Sequence, residues 1–214
     1  MDILAGNWGQ NTKLYAGKNG PLKLYVKDFD KNGSLEQILA YTVNGEEYTF
    51  LAKDELERSL PVLKKAYLYY GEVAGKTVQY MLYDLFKDYT ELKAETLSST
   101  CFINDGKGKF RSMELPAELQ LSPVFSFTSG PASQPGTFIG GGNFYGVIPY
   151  EGRYDALMPT IFGFNKQTNK FQLKGNIPAA DGETRDMRWI RNKDGKQLLA
   201  IARCDDRLLF FSPN

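Results

Sequence analysis

The chain has 214 residues, 42% apolar and 24% charged, a composition that folds rather than staying disordered. Its 26 basic and 25 acidic residues nearly cancel, so neither nucleic acid nor an anionic membrane surface is an expected partner. Histidine is absent, which excludes His-dependent nucleophiles, His general bases and His-containing zinc sites.

The first residues, Met1-Asp2-Ile3-Leu4-Ala5-Gly6, lack the basic and apolar regions of a signal peptide. No stretch approaches the roughly 18 apolar residues of a membrane span. The chain is expected to be a mature or excised piece of something larger. Aromatic residues at 14% and 21 glycines favour strands joined by turns.

Leu22 to Lys27 alternates nearly with period two and reads as a strand, as does Ile38 to Val43. Asn44-Gly45 then signals a tight hairpin, with Glu47 to Leu51 returning. From about 53 to 95 the pattern changes. Asp54 and Glu55 suit a helix start, Pro61 suits a first turn, and Val62, Leu63, Ala66, Tyr67 and Tyr70 recur at helical spacing. Thr77 to Leu82 reads as another short helix. This segment is predicted to be a helical insertion between strands of one sheet. Its cluster Tyr67, Tyr69, Tyr70, Tyr80 and Tyr83 serves either as a ligand platform or as packing against that sheet.

From Ser98 onward the chain is β again, and it repeats. Asn104 to Phe110 aligns with Asn165 to Phe171, with the two phenylalanines 61 positions apart. Ile38-Leu39-Ala40-Tyr41, Thr137 to Gly141 and Gln197 to Ala202 recur at a similar interval once the insertion is subtracted. Such a unit of strands and Gly/Asn turns is the pattern of a β-propeller blade. The predicted fold is therefore mainly β, one domain over 1–214. It is a partial propeller of about three four-stranded blades, at about 22–116 (with the insertion at 53–95), 123–175 and 185–212. Cys101 and Cys204 are too few for a cysteine-only zinc site. Sequence leaves open whether they pair or are two buried small apolar side chains.

One motif carries chemistry. Asp28-Phe29-Asp30-Lys31-Asn32-Gly33-Ser34-Leu35-Glu36 places oxygen side chains at alternate positions around a glycine. That spacing lets a tight loop aim several hard oxygens inward, with the Ser34 carbonyl as a further donor, which is Ca2+-type ligation. Leu39 stands where an EF-hand needs its bidentate Glu, and both flanks read as strands, so an EF-hand is excluded. The predicted metal ligands are Asp28, Asp30, Asn32, Ser34 and Glu36. The counterparts Ser129 to Gly136 and Arg191 to Gly195 lack this set of acids and are expected to bind no calcium.

The Asp-x-Asp-x-Asn-Gly-x-x-Glu loop resembles the calcium loops of FG-GAP/VCBS-repeat β-propellers. Asn104-Asp105-Gly106-Lys107-Gly108-Lys109-Phe110 resembles their Asn-x-Gly-x-Gly-x-Phe turn. Asp2 to Gly9 and Gly141 to Gly146 look like their strand endings. The whole resembles the C-terminal part of bacterial VCBS-repeat proteins related to the ASPIC/UnbV group. The resemblance implies a periplasmic, secreted or cell-surface binding module without shared catalytic chemistry, its protein or carbohydrate ligand unspecified. Three blades are fewer than a closed propeller needs, so either further N-terminal blades or a homodimer is expected. A second reading is a carbohydrate-active enzyme. Glu151 and Asp155 would act as acid and base beside Tyr145, Tyr150, Arg153 and Tyr154, the same patch that could hold a ligand without catalysis.

Overall fold

The computed structural model describes residues 1–14, 20–148 and 152–213. The first half contributes strands β1 (Ile3–Ala5), β2 (Leu22–Lys27), β3 (Glu36–Val43), β4 (Glu46–Thr49), β5 (Thr90–Ala94), β6 (Thr100–Asn104) and β7 (Phe110–Glu114). The second contributes β8 (Val124–Ser129), β9 (Thr137–Gly142), β10 (Thr160–Asn165), β11 (Lys170–Asn176), β12 (Thr184–Arg191), β13 (Gln197–Arg203) and β14 (Leu209–Phe211). Helices α1 (Lys53–Ser59), α2 (Pro61–Ala66), α3 (Tyr70–Val73) and α4 (Val78–Leu82) lie between β4 and β5. The protein is thus mainly β, with four antiparallel sheets among the described residues, none of them closed. No helix among the described residues is long and apolar enough to cross a membrane.

Two compact units form, residues 14–97 and residues 1–13 with 98–214. In the first, the sheet order is β4-β3-β2-β5. Val43 pairs with Glu46 across Asn44 and Gly45, whose φ values of 53° and 83° are those of the expected two-residue turn. Period two puts Ile38 and Ala40 of β3 on one face with Tyr25 of β2, and Leu56, Leu60, Leu63, Val78, Met81 and Leu82 of the helical segment cover that face. The helices do lie between strands of one sheet. The predicted insertion ran too far, however: β5 occupies its last residues and pairs with β2.

In the second unit, β8 to β11 form a four-stranded meander covered on both faces. Phe138 and Phe162 pack with Cys101, Leu115, Leu119 and Leu157 on one side. Ile139 and Ile161 pack with Met187, Leu199 and Ile201 on the other. The sheets β1-β6-β7 and β12-β13-β14 therefore flank it. Trp189 Nε1 donates to the Ser129 carbonyl at 2.7 Å, fastening β12 to the end of β8. Each outer hairpin turn is led by an asparagine whose Oδ1 accepts backbone N–H groups: Gly106 for Asn104, Gln167 and Thr168 for Asn165, Asp194 and Lys196 for Asn192. The repeat seen in the sequence is, at these positions, a repeat of turn chemistry.

The pairing divides the predicted 22–116 unit. Strands β6 and β7 pair with β1, not with β2 or β3. Only two of the four sheets have four strands. The short N-terminal strand, unassigned to any blade from sequence, supplies the missing partner of β6. The chain leaves and regains this unit at one place: Gln10 Nε2 donates to Ser98 Oγ at 2.6 Å and Asn7 N to Ser99 Oγ at 3.2 Å.

Both cysteines are free, Cys101 buried and Cys204 exposed, so the buried reading holds for one of them only. Burial raises the Cys101 thiol above its ordinary value.

Close packing explains the run Gly140-Gly141-Gly142, against side chains on the two faces at Gly140 and Gly141 and against the adjoining backbone at the start of β8 at Gly142. A methyl group at Gly142 would meet the Pro123 carbonyl oxygen at 1.7 Å, a backbone atom that cannot swing aside. Gly175, on β11, has nothing within 4 Å of such a methyl. Gly142→Ala is expected to lower unfolding free energy by about 2 kcal/mol or more, and Gly175→Ala by less than about 0.5 kcal/mol. Equal urea midpoints for the two variants would contradict this packing.

Candidate metal centre and the second predicted patch

The loop 28–36 joins β2 to β3. The period that turns Ile38 and Ala40 inward also turns Glu36 inward, at the first position of β3. Its side chain is only 6% exposed. The Phe29 backbone N–H donates to Glu36 Oε2 at 2.7 Å, and the Phe29 ring beside it is buried. One ligand oxygen from each of Asp28, Asp30 and Glu36 lies within 4.8 Å of the others. Among the described residues, none of these three carboxylates is in a salt bridge.

Backbone amides hold the loop in shape. Asp28 accepts from Asn32 N and Gly33 N, each at 2.9 Å, and Asp30 accepts from Asn32 N at 3.3 Å. Lys31 and Gly33 adopt left-handed φ values of 61° and 93°, and Gly33 is the residue that does so without steric cost. Asn32 Oδ1 accepts from Ser34 N at 2.8 Å, so this predicted ligand is turned to the loop's own backbone. Asp30 Oδ2 and Glu36 Oε1 carry no protein hydrogen bond among the described residues. A buried carboxylate without a cation is costly, and a cluster of three more so. The donor set is hard oxygen throughout and fits Ca2+.

The second predicted patch is assembled differently. Tyr150 and Glu151 lie outside the described residues. Tyr154 is buried, bridges by its backbone to Phe144, shares a 2.8 Å hydrogen bond with Thr12 through its hydroxyl, and meets Trp8 edge-on at 5.1 Å. It is packing rather than a presented face. Arg153 is exposed and pairs with Asp155 at 3.0 Å, while its guanidinium lies 4.2 Å from the Tyr145 ring. Burial raises the Tyr145 phenol, with Arg153 opposing and the nearby acids adding to the rise. Asp155 thus stands in an exposed salt bridge with Arg153. A hollow of about 400 Å3 adjoins these residues, lined also by Asn11, Thr12, Lys13 and Leu121.

Two polar assemblies escaped the sequence reading. Asn143, fully buried at a left-handed φ of 83°, donates to the Leu157 and Gly182 carbonyls and accepts from Leu157 N. An asparagine at the end of a glycine run was the available signal, because Asn tolerates that conformation. In the 14–97 unit, Lys23 pairs with Glu47 at 2.5 Å and Glu91 at 3.4 Å, and the Tyr25 hydroxyl donates to Glu47. These residues come from three strands, and only the pairing of β2 with β5 brings Glu91 near.

Comparison with protein-family models, with curated proteins and with solved structures finds no match to this chain.

Burial first, then the Glu47 hydrogen bond, drives the Tyr25 phenol far above its ordinary value of 10.0. A raised folded value stabilises fully below pH 10 and is lost as pH rises beyond it, because the unfolded phenol ionises first. Wild type is expected to lose stability steeply between about pH 9.5 and 11.5, and Tyr25→Phe less steeply over the same window. Parallel slopes in urea melts across that range would refute the Tyr25 contribution.

Proposed function

We propose that the protein is a calcium-stabilised binding or interaction module of the FG-GAP/VCBS β-propeller kind, part of a larger periplasmic or cell-surface protein. The observation that carries the reading is the buried Glu36 carboxylate beside Asp28 and Asp30, none of them in a salt bridge among the described residues. Calcium at this point would neutralise the cluster and tie the β2–β3 connection to the start of β3. It would stabilise the fold and perform no chemistry. The three sheets stacked face to face in the 1–13/98–214 unit are consistent with consecutive blades of an incomplete propeller. The carbohydrate-enzyme reading has no comparable observation behind it, since Asp155 is held by Arg153.

Melting with calcium, magnesium or chelator tests the reading. At about 100 times its dissociation constant, calcium should add about 2.7 kcal/mol, a rise of several degrees, and magnesium much less. Glu36→Gln and Asp30→Asn should each reduce or remove the rise while leaving the chelated protein equally or more stable, because each deletes buried or crowded charge and keeps the one oxygen that accepts a backbone N–H. Identical melting in calcium and chelator would eliminate the metal centre.

A further inference from the structure

Three Asn-Gly pairs occur in the chain, at 19–20, 32–33 and 44–45. In such a pair the glycine nitrogen is open to attack the carboxamide of the asparagine before it, because glycine puts no side chain beside that nitrogen. Asn19 lies outside the described residues, and the other two pairs stand in different surroundings.

Asn32 and Gly33 are exposed in the loop between β2 and β3, outside any strand ladder. Three features of that loop meet on them. Asn32 Oδ1 accepts from Ser34 N at 2.8 Å. A side-chain carbonyl that reaches the amide two residues on folds its Cγ back toward the nitrogen between them, here that of Gly33. The Ser34 N–H also stands at the distance that stabilises charge developing on a carbonyl oxygen. The Gly33 N–H donates to Asp28 Oδ2 at 2.9 Å, which is the reach of a general base. Gly33 has a φ of 93°, and nothing lies within 4 Å of where its Cβ would stand, so a ring can close there without displacing a neighbour. Nucleophile, base and oxyanion donor thus converge on one carboxamide. The Asn44-Gly45 turn lacks them. Both its residues have left-handed φ between the paired Val43 and Glu46, and among the described residues no side chain accepts from Gly45 N or donates to Asn44 Oδ1.

We infer that Asn32-Gly33 is a self-modifying site, whose deamidation gives the loop 28–36 a fourth acid beside Asp28, Asp30 and Glu36. The Gly33 nitrogen bonds to Asn32 Cγ while its proton passes by way of Asp28 to Nδ2. The Cγ–Nδ2 bond breaks, and ammonia leaves a succinimide. Water then opens the ring at either carbonyl, leaving aspartate or isoaspartate at position 32. The aspartate product puts three carboxylates at alternate positions ahead of Glu36. Its consequence rests on the calcium reading above: the added charge tightens the site. The isoaspartate product inserts one carbon into the backbone and spoils the register of the donors.

The test holds the full chain in chelator at mildly alkaline pH and physiological temperature, with peptides weighed at intervals and isoaspartate marked by enzymatic methylation. Position 32 should convert roughly tenfold or more faster than position 44, and unfolding in guanidinium chloride should erase the difference. Asp28→Asn keeps an oxygen for the Gly33 N–H but no base, and should slow position 32 roughly tenfold. Equal folded rates at 32 and 44, a preference that survives unfolding, or an undiminished rate in Asp28→Asn would each overturn the inference. Asn32→Asp, which reproduces one product, should bind calcium about tenfold more tightly than wild type in melting titrations. An equal or weaker response would overturn the consequence for the metal. Modification is read from mass and calcium from melting, so a chain that takes up no calcium loses the metal centre and keeps the modified site.

Discussion

Strand β9, inside the β8–β11 sheet, has no solvent side, and that constraint organises the unit around it. A sheet packed on one face can send alternate residues to water. Here Phe138 and Ile139, neighbours in sequence, both meet core, on opposite sides. Two layers must then approach one backbone closely, and side-chain volume becomes the limiting quantity. Gly140 faces Leu119 and Phe127, whereas Gly141 faces Thr184 and Met187. The glycine run trades strand propensity for proximity. Gly6 shows the same trade at the end of β1, where a methyl group would meet the Val124 carbonyl oxygen at 2.1 Å.

The 14–97 unit solves a different problem. Its sheet has one face under the helices, and strict alternation on β3 determines what lies beneath them. That alternation does not distinguish Ile38 from Glu36, so a carboxylate enters the buried row at the edge of the core. The loop before it is built largely from side-chain oxygens accepting backbone N–H groups, and no salt bridge among the described residues neutralises its acids. Structure and electrostatics thus converge on the same nine residues from independent directions: geometry draws the acids together, and burial makes their mutual repulsion expensive.

Local signals were legible in the sequence and long-range pairing was not. Leu22–Lys27, the Asn44-Gly45 turn, Pro61 at a helix start and the asparagine-led turns depend on neighbouring residues, and they appear where the periodicity and turn chemistry put them. The meander at Val124–Asn176 joins sequential strands through short or modest connections, so its extent could be read as well. The partners of β1 and β5 could not. Each pairs across more than sixty residues, and nothing in Ile3-Leu4-Ala5 or Thr90-Glu91-Leu92 names the strand beside it. The acidic loop was legible because its oxygens are contiguous. The Lys23–Glu47–Glu91 network was hidden because it is assembled by those distant pairings. The tyrosine cluster was visible, but its division into a half-buried Tyr67 and outward-facing Tyr80 and Tyr83 depends on helix ends that periodicity cannot place.

The hydrogen bonds from Gln10 to Ser98 and from Asn7 to Ser99 make the chain's departure and return a single seam. Held side by side there, the two flanks of residues 14–97 let a segment of a different length run between them at little extra loop-closure entropy. A change in the length of what lies between those flanks leaves the hydrogen bonds of Asn7 and Gln10 in place.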